Sequence, residues 1–145
     1  MYRDTVTLFN RHHTREGDTW LPTVLQDVDL NIDKAAIAAK YGTSSQDKAL
    51  LHVKYSGSMV CGKPWLSPKE WAAQEPEALA SSLTFADGED FDFFYAGEWQ
   101  GAKPVLDDEY PDGFYDYMNQ RYDFVFAVSS VAKYTVIPHF EITGK

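Results

Sequence analysis

Residues 4–11 read DTVTLFNR and residues 20–30 read WLPTVLQDVDL, and these two stretches decide the fold of the chain. Both alternate apolar with polar side chains over several positions and are rich in β-branched and aromatic residues, which is typical of half-buried strands. A polar run that contains a glycine, residues 12–18, separates them. The sequence therefore predicts a β-hairpin that pairs residues 2–11 with residues 19–30.

The composition indicates a folded domain. Of the 145 residues, 44% are hydrophobic and 15% aromatic, which is enough to build a core and excludes a disordered chain. No run of about 18 apolar residues is present, so we expect no transmembrane helix and no membrane partner. The first residues, with Arg3 and Asp4, do not form a secretory signal. The single cysteine, Cys61, excludes an internal disulfide and fits a reducing compartment.

The net charge of −9 is concentrated in one part of the chain. Residues 86–116 contain ten acids and one base, and the remaining twelve acids and twelve bases cancel. The ten acids are Asp87, Glu89, Asp90, Asp92, Glu98, Asp107, Asp108, Glu109, Asp112 and Asp116. A protein that reads a nucleic-acid sequence needs a basic face, so this distribution argues against that class.

Several shorter segments carry strand or helix signals. Strands are predicted at residues 49–55, 83–85, 91–99 and 124–131, followed by a turn at Ala132 and Lys133 and then by a last strand pair or one bulged strand over residues 134–142. Ser67 and Glu70 have the spacing of a capping box, which predicts a helix from Pro68 to Gln74 with Trp71 directed to the core. Asp112 is placed to cap a second helix, from Gly113 to Tyr122. One face of this helix is expected to pack on the core, and it carries Phe114, Tyr117, Met118 and Arg121.

Two stretches are harder to assign. Residues 33–42 fit a short helix ending at Gly42 or a continuation of the preceding strand, and we favour a strand to about residue 32 followed by an irregular or helical segment. Residues 42–47 form a turn cluster. Residues 100–111 contain glycine, prolines and three consecutive acids, which predicts a surface loop.

Together these signals predict a mainly β fold with short helices (α+β): a small antiparallel β-barrel or sandwich with inserted loops. We expect a single domain over residues 1–145. Its barrel strands are expected at about residues 2–56, 83–99 and 123–145, and its inserted helix and loop segments at about residues 57–82 and 100–122.

The residue types that carry chemistry do not form a recognisable motif. His12 and His13 are adjacent and point to opposite faces of a strand, whereas His52 and His139 are scattered and Cys61 has no CxxC partner. The acidic turn at residues 87–92 lacks the ligand order of a calcium-binding EF-hand loop. No nucleophile elbow or phosphate-binding loop is present. The sequence therefore predicts no catalytic residue, no metal site and no cofactor, in a protein that is not an enzyme.

A small acidic hydrolase is the alternative from a different functional class. It would need a pocket that gathers His52, His139 or Cys61 with two acids, together with a perturbed pKa.

The four tryptophans are candidate interface residues. Trp and Tyr are enriched at subunit interfaces, which suits Trp20, Trp65, Trp71 and Trp99. They suit an ordinary core equally well, because buried aromatic side chains dominate core energetics.

The two ends of the chain carry a family resemblance. Residues 4–11, followed by residues 19–28 (TWLPTVLQDV), resemble the D-T-[VI]-T-[LV]-[FY]-N-R opening of small proteins from the structural gene modules of tailed phages that infect Gram-positive bacteria. Val128-Ser129-Ser130-Val131 and then residues 138–145 (PHFEITGK) are similar to their closing P-H-[WF]-x-[VI]-x-G-K. Residues 56–82 and 99–122 depart from the pattern.

These phage proteins look like head–tail connector components of the stopper or head-completion kind. The resemblance implies a β-barrel subunit in a homo-oligomeric ring of six or twelve copies, placed between the portal or adaptor and the tail. It implies no enzyme activity, a place in the virion after assembly in the bacterial cytoplasm, and double-stranded DNA that passes without sequence-specific binding. Stopper, adaptor-associated protein and tail-completion (terminator) protein remain open.

The acidic segment then has three possible roles. It could line the channel, where like charge keeps the DNA backbone from sticking. It could meet a basic partner subunit, or it could face solvent. The candidate residues are Asp87, Glu89, Asp90, Asp92, Asp107, Asp108 and Glu109.

Overall fold

The computed structural model describes residues 2–33 and 48–145. Its strands are β1 (Asp4–Thr14), β2 (Gly17–Ile32), β3 (Ala49–Lys54), β4 (Met59–Val60), β5 (Lys63–Pro64), β6 (Phe93–Tyr95), β7 (Val105–Leu106), β8 (Val125–Tyr134) and β9 (His139–Gly144). Its helices are α1 (Pro68–Ala72) and α2 (Phe114–Arg121), with 3₁₀ turns at Pro76–Ser81 and Asp107–Glu109. The strand predicted to about residue 32 is confirmed by the end of β2. The expectations for residues 34–47 lie outside the described residues.

The predicted N-terminal hairpin is confirmed. β1 and β2 pair antiparallel from Val6 opposite Leu25 to Thr14 opposite Gly17, so the strands extend through most of the polar run and leave only Arg15 and Glu16 as the turn. The register shifts between Asp4 and Val6. Asp27, which lies opposite this shift, has a positive φ of 56°, a conformation typical of a bulge.

Six strands pair in an order that returns to its starting point. β1 pairs with β2, β2 with β3, β3 with β9, β9 with β8, β8 with β6, and β6 with β1, always antiparallel. We call this arrangement the strand circuit. β2 and β8 each change partner along their length. The first residues of β2 pair with β1 and its last residues with β3, and the first residues of β8 pair with β6 and its last residues with β9. The predicted class, a mainly antiparallel β fold with short helices, is confirmed.

The main core is built from alternate residues of the circuit strands. Val6, Leu8, Leu51, Phe126 and Ile142 are among its fully buried members. At such positions the period of two sends every second side chain inward. Gly144 lies against this core, because the space that a Cβ would need is taken by Phe94 and Phe126.

The first inserted segment covers the part of β2 that, within residues 2–33 and 48–145, has no strand beside it on the side away from β1. Trp71 of α1 and Leu79 of the first 3₁₀ turn pack on Leu21, and the Lys63 Nζ donates to the Thr23 Oγ1 at 3.0 Å. Pro22, which has no N–H to donate to a strand on that side, lies in this stretch. Trp71 is buried as predicted, and α1 ends two residues earlier than expected.

The second inserted segment packs on the outer face of β1, β2 and β6. Phe114 and Met118 of α2 join Phe9, Trp20 and Phe93 in a second cluster of buried side chains. This covering explains why β1 is buried on both faces from Val6 to Asn10. The sequence correctly predicts this helix and its apolar face.

Three local predictions are wrong, and a fourth holds in part. Residues 83–85 form only a bridge between Leu83 and Trp65, and the strand predicted over residues 91–99 is limited to β6. The surface loop predicted at residues 100–111 is mostly irregular and exposed, but it contains β7 and a 3₁₀ turn. Ala132 and Lys133, predicted to turn, belong to β8, because both pair with β9. The turn falls instead at residues 135–138, where Pro138 interrupts an otherwise β-forming run.

Candidate functional site

Five of the candidate acids lie on the surface. Asp87, Glu89 and Asp90 are exposed in the turn that precedes β6, and Asp108 and Glu109 are exposed in the second 3₁₀ turn. These carboxylates are available to a partner or a channel.

Asp92 must be removed from that set, because only 1% of it is exposed. Its carboxylate accepts hydrogen bonds from the backbone N–H groups of Arg11 and Ala86, both at 2.8 Å, and from the Asn10 Nδ2 at 2.9 Å. Burial raises the pKa of Asp92 to about 7, against the opposing effect of these hydrogen bonds and of the nearby Arg11 charge. Asp92 therefore ties the 84–92 segment to β1 and contributes nothing to the surface charge.

Asp107 is also occupied within the chain. Its Oδ1 accepts from the indole Nε1 of Trp20 at 2.9 Å and from the backbone N–H of Phe114 at 2.8 Å. Asp107, rather than the predicted Asp112, thus satisfies an otherwise unpaired N–H at the start of α2. The sequence hides this contact because the capping residue is seven positions away from the helix start instead of adjacent to it.

The structure separates the four tryptophans into two pairs. Trp20 and Trp71 are each 1% exposed and belong to the interior of the chain. Trp65 and Trp99 are partly exposed. Trp65 packs on Phe140, with ring centroids 5.1 Å apart, and Trp99 packs on Phe9 at 5.5 Å. Only Trp65 and Trp99 present ring surface that a partner could cover.

A histidine cluster lies on the outer face of β2, β3 and β9. His52 sits opposite Asp29 on one neighbouring strand and opposite Glu141 on the other. Its Nδ1 is 3.6 Å from the Asp29 Oδ2, and its Nε2 is 3.8 Å from the Glu141 Oε2. The ring of His139 lies 5.8 Å from that of His52. The expectation that His52 and His139 are scattered is therefore wrong, because strand register brings together residues that lie far apart in the sequence.

His139 has an acceptor at each ring nitrogen. Its Nδ1 is 2.7 Å from the backbone oxygen of Ile137, and its Nε2 is 3.0 Å from the Glu141 Oε2. Both contacts are hydrogen bonds only in the protonated imidazolium, which has two N–H donors. Accordingly, the hydrogen bond to Glu141, followed by that to Ile137, raises the pKa of His139.

The other candidate nucleophile and histidines lie elsewhere. The Cys61 Sγ contacts the backbone oxygen of Gln26 at 3.5 Å, and desolvation raises the pKa of its thiol, which makes the reactive thiolate less available. His12 packs edge-on against Trp71, and the His13 Nδ1 lies 2.6 Å from the Asp18 Oδ1. None of these groups joins the cluster of His52 and His139.

One protein family matches the whole of residues 1–145, and its description is a family of unknown function, DUF6751. The chain is a member of the DUF6751 family. Comparison of this DUF6751 chain with curated proteins and with solved structures gives no match.

Two further observations bear on the chemistry of this DUF6751 chain. Within residues 2–33 and 48–145, no three histidine, cysteine, aspartate or glutamate side chains are grouped so that they could hold a metal ion. In the same part of the chain, no helix has the length and apolar character needed to cross a membrane.

Proposed function

We propose that the protein is a virion structural protein of the head–tail junction, a ring-forming connector of the stopper or head-closure type. It would join the capsid portal complex to the tail and line the DNA channel. The observation that carries the proposal is the strand circuit: the segments that resemble phage connector proteins supply β1 and most of β2 at one end of the chain, and β8 and β9 at the other. These four strands form most of the circuit, so the resemblance falls on its framework.

The surface charge supports a place beside DNA without sequence-specific binding. The exposed carboxylates of Asp87, Glu89, Asp90, Asp108 and Glu109 repel phosphate. The connector proposal also holds if these carboxylates face a basic partner subunit or bulk solvent instead of the DNA. The neighbouring proteins would be the portal or adaptor and the tail, and the ring would contain six or twelve copies in the virion. No enzyme activity, cofactor or membrane is part of the function.

Assembly and location test the proposal together. Light scattering after size exclusion and class averages of the purified protein are expected to show a closed ring, and cryo-EM of virions to show density for it between portal and tail. A chain that is strictly monomeric and absent from virions would overturn the proposal. A ring located at the tail end of the junction would instead identify a tail-completion or terminator protein.

A small acidic hydrolase is the second candidate, and the histidine cluster is the observation that favours it. His52 and His139 lie together with two acids, Asp29 and Glu141, and the pKa of His139 is raised. Cys61 is elsewhere, so the cluster has no thiol nucleophile. A panel of ester, peptide and phosphodiester substrates should be tested with wild type and with the His52→Ala, His139→Ala double variant. The connector proposal expects no hydrolysis by wild type that the double variant has lost. Hydrolysis that depends on both histidines would favour the hydrolase.

A further inference from the structure

We propose that copies of this chain join head to tail: the apolar hairpin tip of one copy, formed by Tyr134, Val136 and Ile137, enters a cleft lined by Trp99, Val105, Leu106 and Tyr110 on the next copy. This inference rests on the ring assembly of the proposed function and names the two surfaces that would build it.

The tip is the most exposed apolar feature of the described residues. Val136 is 96% and Ile137 75% exposed, and Tyr134, at the end of β8, is 45% exposed. Contiguous exposed apolar patches, unlike single scattered apolar side chains, mark sites of protein–protein or membrane interaction. Nothing within residues 2–33 and 48–145 packs over Val136.

Three contacts anchor the base of the tip to the sheet. The Tyr55 hydroxyl donates to the backbone oxygen of Tyr134 at 2.7 Å, and His139 donates to that of Ile137. The ring of Tyr134 stacks on that of His139 with centroids 4.8 Å apart. A tip ordered before binding loses little conformational entropy on docking, which favours a specific contact.

Two lysines flank the tip. Lys54 lies opposite His139 at the end of β3, with its Nζ 4.2 Å from the centre of the Tyr2 ring. Lys133 directly precedes Tyr134, with its Nζ 4.8 Å from the centre of the Trp65 ring. The tip therefore presents apolar side chains with positive charge beside them.

The cleft has the complementary character. It has a volume of about 410 Å³, and its lining includes Trp99, Val105, Leu106 and Tyr110. Leu106 is 49% exposed. The surrounding residues 98–112 contain five acids (Glu98, Asp107, Asp108, Glu109, Asp112) and one base (Lys103), a net charge of −4. The lining itself holds one acid, Glu109, and one base, Lys103, so the negative charge lies in the chain that flanks the cleft.

The tip and the cleft lie in different regions of one chain. Trp99 donates its backbone N–H to the Thr7 Oγ1, and Thr7 pairs with Tyr95, which pairs with Val125 at the start of β8. Tyr134 is nine residues further along β8, or about 30 Å of strand. A copy therefore cannot fill its own cleft. Contacts between two different patches are heterologous, and they produce rings when the rotation closes.

A second copy fits the tip better than a lipid surface does. On a second copy, the flanking lysines would meet the segment of residues 98–112, which has a net charge of −4, whereas the whole chain, at −9, is repelled by an anionic membrane. We therefore make vesicle binding an outcome of the test rather than a second proposal.

The test is a mixing experiment on the full chain. The tip variant carries Val136→Asp and Ile137→Asp, the cleft variant carries Leu106→Lys, and the control is Phe124→Ser, which changes an exposed apolar side chain outside both surfaces. By light scattering after size exclusion, wild type and control are expected to assemble, and each variant alone to associate at least tenfold more weakly. An equimolar mixture of the two variants should give a dimer of twice 16.5 kDa and nothing larger, because only one tip and one cleft remain intact.

The other outcomes separate the two proposals. Wild-type rings that persist in both variants would overturn the head-to-tail contact and leave the connector function standing. A cleft variant that assembles like wild type while the tip variant does not would indicate a tip-to-tip contact and overturn the inference. Tip-dependent binding to vesicles of phosphatidylcholine and phosphatidylserine, with assembly unchanged in the tip variant, would also overturn it. A wild type that is monomeric at every concentration would overturn both.

Discussion

At the scale of single residues, Asp92 combines an ionisable side chain with a buried position. It belongs to the most acidic part of the sequence, yet it is buried and accepts three hydrogen bonds. Its neighbour Asp90 has a side chain that is 71% exposed. Two aspartates two positions apart therefore serve different purposes, one structural and one on the surface.

Replacing Asp92 should destabilise the protein, whereas replacing Asp90 should not. In Asp92→Ala, the N–H groups of Arg11 and Ala86 and the amide of Asn10 lose their acceptor, and we expect a loss of about 2–3 kcal/mol in the free energy of unfolding at pH 5. Asp90→Ala should change it by less than about 0.5 kcal/mol. Urea denaturation measures both, and equal effects of the two substitutions would refute the assigned role.

The raised pKa of Asp92 also predicts a pH dependence. The folded-state pKa of about 7 lies above the ordinary value of 3.8, so between these values the folded protein binds a proton that the unfolded chain has released. Stability from this group is therefore present below about pH 4 and is lost as the pH rises to about 7. Urea midpoints between pH 4 and 8 should fall more steeply in wild type than in Asp92→Ala; parallel curves would contradict the prediction.

Glu141 should control the charge of His139. Glu141→Gln removes the carboxylate at the His139 Nε2, so the pKa of His139 is expected to fall towards its ordinary value in an NMR titration. In wild type, the protonated ring stabilises the fold below pH 6.5, and this contribution disappears as the pH rises through the raised pKa of His139. Asp29→Asn, which changes the acid facing His52, is the matched control and should leave the His139 titration in place.

At the scale of elements, α2 contributes to stability through the apolar face that it buries. The ring of Phe114 contacts those of Phe9, Trp99 and Tyr110 at centroid distances of 5.1–5.6 Å. The helix is only eight residues long, which is too short to be stable alone in water, so tertiary packing must hold it in place.

Substitutions on the two faces of α2 should therefore show that its stability comes from the packing of Phe114 and not from helix propensity. Phe114→Ala is expected to cost about 3–5 kcal/mol of unfolding free energy, because it leaves a cavity among aromatic rings. Asn119→Ala, on the exposed side of the same helix, should change stability by less than about 0.5 kcal/mol. Chemical denaturation with a tryptophan fluorescence signal would measure both, and a small effect of Phe114→Ala would mean that the helix does not depend on this cluster.

The elements that the sequence predicts are those with strictly local signals. The alternation of Val6, Leu8 and Leu25 reveals the hairpin, and the spacing of Phe114 and Met118 reveals α2. Contacts that depend on tertiary placement stay hidden: the Asp107 cap of α2, the burial of Asp92, and the meeting of His52 with Glu141. The sequence does not predict the turn at Val136 and Ile137, because both side chains favour strands. In the structure, the chain reverses direction at these residues, just before Pro138.

At the scale of the whole molecule, charge and shape are arranged unevenly. The exposed acids lie in the turn before β6 and in the second 3₁₀ turn, and the exposed apolar tip follows the end of β8. With a net charge of −9 and a sequence pI of about 4.7, the molecule has no long-range attraction for nucleic acid.

The protein is therefore expected not to bind duplex DNA. Fluorescence anisotropy with a labelled duplex in low salt should show no change up to about 100 µM protein, a concentration at which non-specific DNA-binding proteins bind. The variant Asp108→Lys, Glu109→Lys, whose positions are both exposed, should raise the anisotropy under the same conditions. Binding by wild type that disappears with added salt would contradict the repulsion argument.

The position of β9 in the circuit has a consequence for how the protein folds. β9 lies between β3 and β8, and 85 residues separate Lys54 at the end of β3 from its partner His139 at the start of β9. This pairing has high contact order, so the hairpin of β1 and β2 can form early, whereas closure must await the strand that is latest in the sequence. Until β9 docks, the edge of β3 that it covers offers unpaired N–H and C=O groups to any neighbouring chain. During synthesis, this edge of β3 therefore stays open to aggregation until β9 has left the ribosome and docked.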